Sequence, residues 1–155
     1  NSNAPIIAIL MDAVTYGNGT DTPNKDHVKN PQKHKFLQHR LVNTASEPGV
    51  GPDGVYRDPW GNPYIITLDL NYDEKCGDAF YRLNAVSRIP DSEQTGTPNP
   101  KLGYNGLMQS GAAGSDSFEA GAAVMVWSLG PDKAFNTGQN ANKGVNKDNV
   151  LSWKE

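Results

Sequence analysis

Oxygen-bearing side chains stand at every second position in one short stretch of the chain, at Asp69, Asn71 and Asp73. This is the spacing of the first ligands of an EF-hand calcium loop, which also needs glycine at its sixth position and a bidentate glutamate at its twelfth. Glu74 and Phe80 occupy those two positions here. We therefore interpret the stretch as a solvated turn.

Two further oxygen-rich segments frame the C-terminal loop. Asp132 follows the last predicted strand, and Asp148 and Asn149 come shortly before the apolar end of the chain. Hard cations such as Ca²⁺ bind carboxylates together with backbone carbonyls in loops. A cation site and a loop anchored only by Phe135 and Trp153 are both open on these grounds.

The remaining residues contain no recognised catalytic sequence motif. His27, His34 and His39 lack the i, i+4 spacing of a helical zinc site, and no G-x-S-x-G elbow is present. Cys76 is the only cysteine, so an intrachain disulfide is excluded. Carboxylates paired in space for glycoside chemistry stay open, because that spacing cannot be read from a sequence. We expect a protein that is not an enzyme.

Composition limits the function classes further. A chain of 155 residues can bury its own core, and we expect a single domain over 1–155. The net charge of -3 gives no basic field for nucleic acid. A mean hydropathy of -0.63 with 16 Gly and 11 Pro indicates a soluble domain rich in loops.

The N-terminal part of the chain carries a helical pattern. Apolar residues at helical spacing predict a helix that begins at Ser2 or Asn3 and ends before Gly17. A second helix is predicted over 32–42. We expect 1–43 to be the helical part of the domain with its connection.

Strand patterns follow. Alternation predicts strands over 64–70 and 79–86, and a nearly continuous apolar run predicts a central strand over 122–129. A long loop is predicted over 87–119. With 54–155 as the sheet and C-terminal loop, the predicted fold class is α+β, a helix packed on a small antiparallel sheet.

The first of these strands is introduced by D-P-W-G-N-P-Y at 58–64. Pro63 and the proline before Trp60 fix φ, while Gly61 and Asn62 tolerate positive φ. The segment is therefore predicted to be a rigid turn at the entry to the sheet, with Trp60 covering the sheet end.

Three segments, 58–64, 128–132 and 147–153, resemble the D-x-W-G-N-P-Y, S-x-G-x-D and D-D-I-x-S-W motifs of the major pseudopilins of type II secretion systems and related type IV pilin-like proteins. The resemblance covers 54–153 with gaps. It implies a structural role for the motif residues Trp60, Gly61, Asn62, Pro63 and Trp153.

The resemblance also implies an architecture and a location. Members of this family pack a long N-terminal helix on a small antiparallel sheet, and its hydrophobic first half anchors the subunit in the inner membrane before assembly. That half is missing here, so 5–14 would be the remnant of the soluble part. Members are not enzymes; they polymerise with other pilin or pseudopilin subunits into a periplasmic pseudopilus or a surface pilus.

Calcium binding in the C-terminal loop is a further implication of the resemblance. By motif position, the ligands would be the Leu129 carbonyl and the Asp132 and Asp148 side chains. Asn149 stands where the family has a second aspartate, which removes a charge and weakens the site. Lys133 stands where glycine is usual.

Two other functions are compatible with the sequence. One is an extracellular glycan- or protein-binding module that uses the 87–119 loop and exposed aromatics such as Tyr104. The other is a hydrolase that uses two loop carboxylates.

Overall fold

The computed structural model describes residues 2–153; Asn1, Lys154 and Glu155, at the ends of the predicted 1–155 domain, lie outside the described residues. The chain divides into two compact units, Asn1–Ile65 and Ile66–Glu155. Both helix and small antiparallel sheets are present, which confirms the mixed α and β composition. Within 2–153, no helix has the length and apolar character required to cross a membrane.

The first unit begins with helix α1 (Ala4–Leu10), as the apolar spacing predicts. Asn3 precedes it, but its side chain holds other parts of the unit. The Asn3 amide donates to the Tyr56 and Tyr64 carbonyls at 2.9 and 2.7 Å, and its oxygen accepts the Tyr56 N–H. The helix is shorter than predicted because Asp12 takes a left-handed φ of 54°.

The predicted helix over 32–42 is wrong. The segment has no helical turn. Its backbone instead bonds to distant parts of the unit: the Leu37 N–H donates to the Leu10 carbonyl at 2.9 Å, and the Val42 N–H donates to the Val50 carbonyl at 3.0 Å. Tertiary hydrogen bonds have overridden a weak helical propensity.

A small ribbon follows in the same unit. Strands β1 (Gly49–Val50) and β2 (Tyr56–Arg57) pair antiparallel. Arg57 donates two hydrogen bonds to the Asp53 carboxylate, at 3.0 and 2.6 Å, across the connecting turn. This forked ion pair fixes the ribbon immediately before the D-P-W-G-N-P-Y segment.

A three-stranded sheet has the order β3 (Ile65–Leu68), β6 (Val124–Ser128) and β7 (Val150–Leu151), and all of it except Ile65 belongs to the second unit. The first two confirm the strands predicted over 64–70 and 122–129, with shorter bounds. Strand β7 was not predicted. It pairs antiparallel with β6, with Trp127 opposite Leu151 and Ser128 opposite Val150.

The predicted strand over 79–86 is wrong. Its place is taken by a turn and by helix α2 (Asn84–Ser87). The Asp78 carboxylate, 1% exposed, accepts the N–H groups of Phe80 and Tyr81 at 2.9 and 3.1 Å. Such side-chain bonds offer the backbone a local alternative to a sheet ladder.

The predicted 87–119 loop contains more structure than expected. Strands β4 (Met108–Gln109) and β5 (Phe118–Glu119) form an antiparallel ribbon. Short 3₁₀ turns lie at Asp91–Glu93 and Tyr104–Gly106, with others at Lys25–His27 and Gly144–Asn146. The long segment is thus folded against its own residues.

Candidate functional site

The D-P-W-G-N-P-Y segment is organised around one buried carboxylate. Asp58 is 1% exposed. Its Oδ1 accepts the N–H groups of Trp60 and Asn62 at 2.9 and 2.8 Å, and its Oδ2 accepts the Asn62 amide at 2.9 Å. An ionised acceptor makes hydrogen bonds stronger than those between neutral groups. The turn is therefore closed by its own first residue.

Backbone bonds complete this turn. The Gly61 N–H donates to the Asp58 carbonyl at 3.0 Å, and the Asp58 N–H donates to the Asn62 carbonyl at 2.9 Å. Gly61 has a φ of 86°, which only glycine adopts without strain. Pro63 follows and forms a bridge with Arg57. Trp60 keeps 40% of its surface exposed. The hydrogen bonds of Asp58 therefore close the turn onto its own backbone and onto the Asn62 amide.

The two C-terminal oxygen-rich segments meet where β6 ends and β7 begins. Gly130 lies directly against Asp148: a Cβ added at Gly130 would lie 2.3 Å from the Asp148 carbonyl oxygen. Its φ of 68° also favours glycine. Leu129 and Gly130 therefore adjoin Asp148 and Asn149 at one strand end.

Several buried oxygens at this strand end lack a hydrogen-bond partner among residues 2–153. They are Oδ1 of Asp148, Oδ1 of Asn149 and Oγ of Ser128. Leaving a buried polar atom unsatisfied costs about 1–3 kcal/mol, and more for a charged group. A cation, or ordered water, would remove this cost, and hard oxygen donors of this kind suit Ca²⁺.

Asp132, the other predicted ligand, is exposed. Its Oδ1 accepts the Ala134 N–H at 3.0 Å. Throughout residues 2–153, no group of three or more His, Cys, Asp or Glu side chains is arranged to hold a metal ion. The structure thus brings Leu129, Asp148 and Asn149 together, and a metal there would rely on carbonyl and amide oxygens beside the carboxylates.

Aromatic rings fix the same region from within the second unit. Trp153 packs edge-on against Tyr81 at 5.1 Å, and Tyr81 packs edge-on against Trp127 at 5.1 Å. Phe80 stacks on Trp127 at 5.3 Å and contacts Phe135 at 5.5 Å. Trp153 and Phe135 therefore both anchor the C-terminal loop on one aromatic cluster.

Tyr81 links this cluster to the strand end. The Asn149 amide donates to the Tyr81 hydroxyl at 2.9 Å. Burial raises the pKa of Tyr81, which is 1% exposed, so the hydroxyl stays protonated at neutral pH. Asn149 is held in place by this bond, while its Oδ1 is left without a partner.

The histidines do not form a metal site. His34 and His39 are exposed and lie against the rings of Phe36 and Tyr56 at 4.5 and 4.4 Å. His27 contacts the Asp12 carboxylate at 2.8 Å. That hydrogen bond holds the pKa of the Asp12 carboxyl below its ordinary value. The pair stabilises a strained turn in the first unit.

Tyr104, on which the binding-module alternative depends, is engaged within the 87–119 segment. Its hydroxyl donates to Glu93 at 2.6 Å, and Glu93 also accepts Lys143 at 2.8 Å. Burial, with the carboxylate next in effect, raises the pKa of Tyr104 to about 12. Its hydroxyl is thus committed to an internal contact.

Sequence reasoning missed the side chains that organise both regions. Asp58 and Asp78 each bond to backbone N–H groups that follow them, and Asn146 bonds back to Asn136 and Gln139 within the C-terminal loop. An Asp at the start of a turn is the signal that could have identified the first two. Ser128 carried no signal beyond its motif.

Comparisons with protein-family models, with curated proteins and with solved structures found no match to this chain.

Proposed function

We propose that this chain is a structural subunit of a pilin-like filament, a type II secretion pseudopilus or a type IV pilus-like fibre, and that it works by assembly and not by catalysis. Its partners would be other copies or related subunits. Its location would be the periplasm or cell surface, with an inner-membrane anchor before assembly. The packing proposed is pilin-like, a helix on an antiparallel sheet.

One observation carries this proposal: the last two motif segments, which are separated by 133–146, are neighbours in the fold. Ser128 pairs with Val150, and Gly130 touches Asp148. The motif tryptophan Trp153 lies on the aromatic cluster. The D-P-W-G-N-P-Y segment also supports the proposal, because the Asp58 carboxylate closes it into a turn, as a structural role for the motif requires.

Calcium in the C-terminal loop is part of the proposal. The residues fit a hard cation in that Asp148 and Asn149 bury oxygens without partners. The Leu129 carbonyl and the Asp132 carboxylate would complete the ligand set. When bound, the ion would neutralise the carboxylates and join the end of β6 to the start of β7, which would hold the loop in one conformation.

The calcium proposal is tested by thermal unfolding with calcium and with a chelator. A ligand that binds only the folded state raises the melting temperature. We expect calcium to raise it for the unchanged chain, and Asp132→Ala and Asp148→Asn to remove most of that rise. Asp73→Asn, at an exposed site, is the matched control and should retain the full rise. Equal calcium effects in all four proteins would exclude this loop as the site.

The filament proposal is tested in source cells by immunogold electron microscopy. We expect label along short periplasmic or sheared surface fibres. Label confined to single, unassembled molecules would contradict the proposal. Binding of such molecules on a glycan array would then favour the extracellular binding module.

A further inference from the structure

One exposed segment of the first unit concentrates positive charge. This basic segment, 27–41, contains no Asp or Glu and carries four cationic side chains: Lys29, Lys33, Lys35 and Arg40. Within residues 2–153, none of the four makes an ion pair. The remainder of the chain holds the other 10 of the 14 Lys and Arg residues and all 17 acidic residues, so its formal charge is -7 against +4 for the segment.

The basic segment also exposes large apolar side chains. Val28 is 66% exposed, Phe36 64% and Leu41 69%. Scattered apolar residues are normal on a surface, but these lie among unpaired cations on one continuous stretch. Aromatic residues and arginine are enriched at protein interfaces, and the segment offers both in Phe36 and Arg40.

Internal bonds hold the basic segment in place, although after His27, which ends a 3₁₀ turn, it has no helix. Asn30, which is buried, exchanges two hydrogen bonds with the His34 backbone at 2.7 and 3.2 Å. The Leu37 N–H donates to the Leu10 carbonyl. A partner would therefore meet an ordered surface, which lowers the entropy cost of binding.

A surface of opposite charge lies on the second unit. This acidic turn, 69–74, is closed by the Asp69 carboxylate, which accepts the N–H groups of Asn71, Tyr72 and Glu74 at 3.1, 2.8 and 2.8 Å. Tyr72 and Glu74 take left-handed φ values of 60° and 62°. Non-glycine residues hold such φ values only where other bonds stabilise them.

This rigid turn presents apolar side chains to solvent. Leu70 is 80% exposed and Tyr72 is 91% exposed. Within the described chain, Asp69, Asp73 and Glu74 make no ion pair. Tyrosine is among the residue types that contribute most binding energy at interfaces.

We propose that the basic segment of one molecule binds the acidic turn of another copy. The two surfaces match in charge, each is pre-ordered, and each adds exposed apolar groups. A free polyanion would be attracted to the basic segment but repelled by the charge of -7 on the rest of the molecule. The inference rests on the proposed function only in taking the neighbour to be a copy of this chain.

The proposed contact joins two different surfaces. In every pair of molecules, one basic segment and one acidic turn therefore remain free to bind further copies. Such a heterologous contact propagates into a ring or an open fibre and does not stop at a dimer. Because exposed charges act over about 10 Å at 0.1 M salt, the association should weaken as salt is added.

Sedimentation velocity of the purified chain at low and high salt tests the contact. We expect concentration-dependent association at low salt. The charge reversals Lys35→Glu with Arg40→Glu, and separately Asp73→Lys with Glu74→Lys, should each weaken it about tenfold, and mixing the two variants should restore it. The matched control for the first reversal, Lys101→Glu with Lys147→Glu, makes the net charge more negative by the same amount at other exposed sites and should keep the association. Circular dichroism confirms that each variant is folded.

The outcomes separate the contact from the filament proposal. Association that neither reversal weakens, or that mixing fails to restore, overturns the contact. A chain that stays monomeric at low salt while antibody labels fibres in cells overturns the contact and leaves the filament proposal standing. Binding to heparin without self-association also overturns it, in favour of an anionic glycan.

Discussion

Replacing Asp58 by alanine is the perturbation for which the structure gives the clearest magnitude. Three donors lose their acceptor: the Trp60 N–H, the Asn62 N–H and the Asn62 amide. Asn62 is 5% exposed, so its two donors have little access to water. A hydrogen bond to a charged group contributes about 1.5–3 kcal/mol, which gives about 3–6 kcal/mol for the two bonds that Asn62 donates to the carboxylate.

Because bonds to one carboxylate are not additive, we expect Asp58→Ala to lower the free energy of unfolding by about 3 kcal/mol. Asp73→Ala is the matched control. Asp73 makes the same kind of bond, to the Lys75 N–H at 3.0 Å, but it is exposed. Its loss should cost less than about 0.5 kcal/mol.

Urea unfolding followed by tryptophan fluorescence measures both variants. Asp58→Asn should fall between them, since one oxygen remains to accept the backbone bonds. If Asp58→Ala and Asp73→Ala shift the unfolding midpoint equally, the buried carboxylate does not hold the turn, and the interpretation of the motif as a folding device is refuted.

Three other predictions concern stability. Gly130→Ala should lower the free energy of unfolding in urea by more than about 3 kcal/mol, because its Cβ would lie 2.3 Å from a carbonyl oxygen. Gly114 also has a positive φ, 83°, but open space around it, so Gly114→Ala should cost about 1 kcal/mol. Equal losses in the two variants would contradict the close approach at Gly130. Phe80→Ala should cost about 3–5 kcal/mol and the exposed Phe36→Ala less than about 0.5 kcal/mol, and the reverse order would place the core elsewhere. The hydrogen bond with His27 keeps the folded pKa of Asp12 below 3.8. The stabilising contribution of Asp12 is therefore present above pH 3.8 and is lost as the pH falls through the folded pKa. The difference in melting temperature between the unchanged chain and Asp12→Asn should shrink in acid, and a constant difference would contradict the pairing.

The elements that the sequence predicted correctly are those with strong local signals. Helix α1 has proline in its first turn and a continuous apolar stripe, and β3 and β6 have alternating or uniformly apolar runs. The prolines and glycine of the D-P-W-G-N-P-Y segment predicted a rigid turn, and the Asp58 carboxylate closes a turn there. These signals depend on neighbours in the chain, so they can be read without knowing the fold.

The errors arose where distant bonds or buried polar groups decided the conformation. Segment 32–42 has a helical apolar pattern, yet it bonds to Leu10 and Val50 and leaves Phe36 exposed. Apolar and polar residues alternate over 79–86 as in a strand, yet the Asp78 carboxylate accepts two backbone N–H groups and stabilises a turn. Neither conformation can be predicted from the spacing of apolar residues, because both depend on hydrogen-bond partners outside the pattern.

For the candidate site, the sequence identified the two C-terminal motif segments but not the contact between them. That Gly130 touches Asp148 depends on the register of β6 with β7, and β7 is too short to give a strand signal. The oxygens left without partners at Asp148 and Asn149 follow from burial, which a sequence pattern does not specify.

Mass spectrometry of the native N-terminus of the protein from its source cells tests the central claim most directly. We expect a methylated first residue followed by about 20 apolar residues, the length of a membrane-spanning helix, ahead of the sequence described by this structure. Cleavage of a conventional signal peptide with no apolar segment would contradict the filament proposal and favour a free extracytoplasmic binding domain.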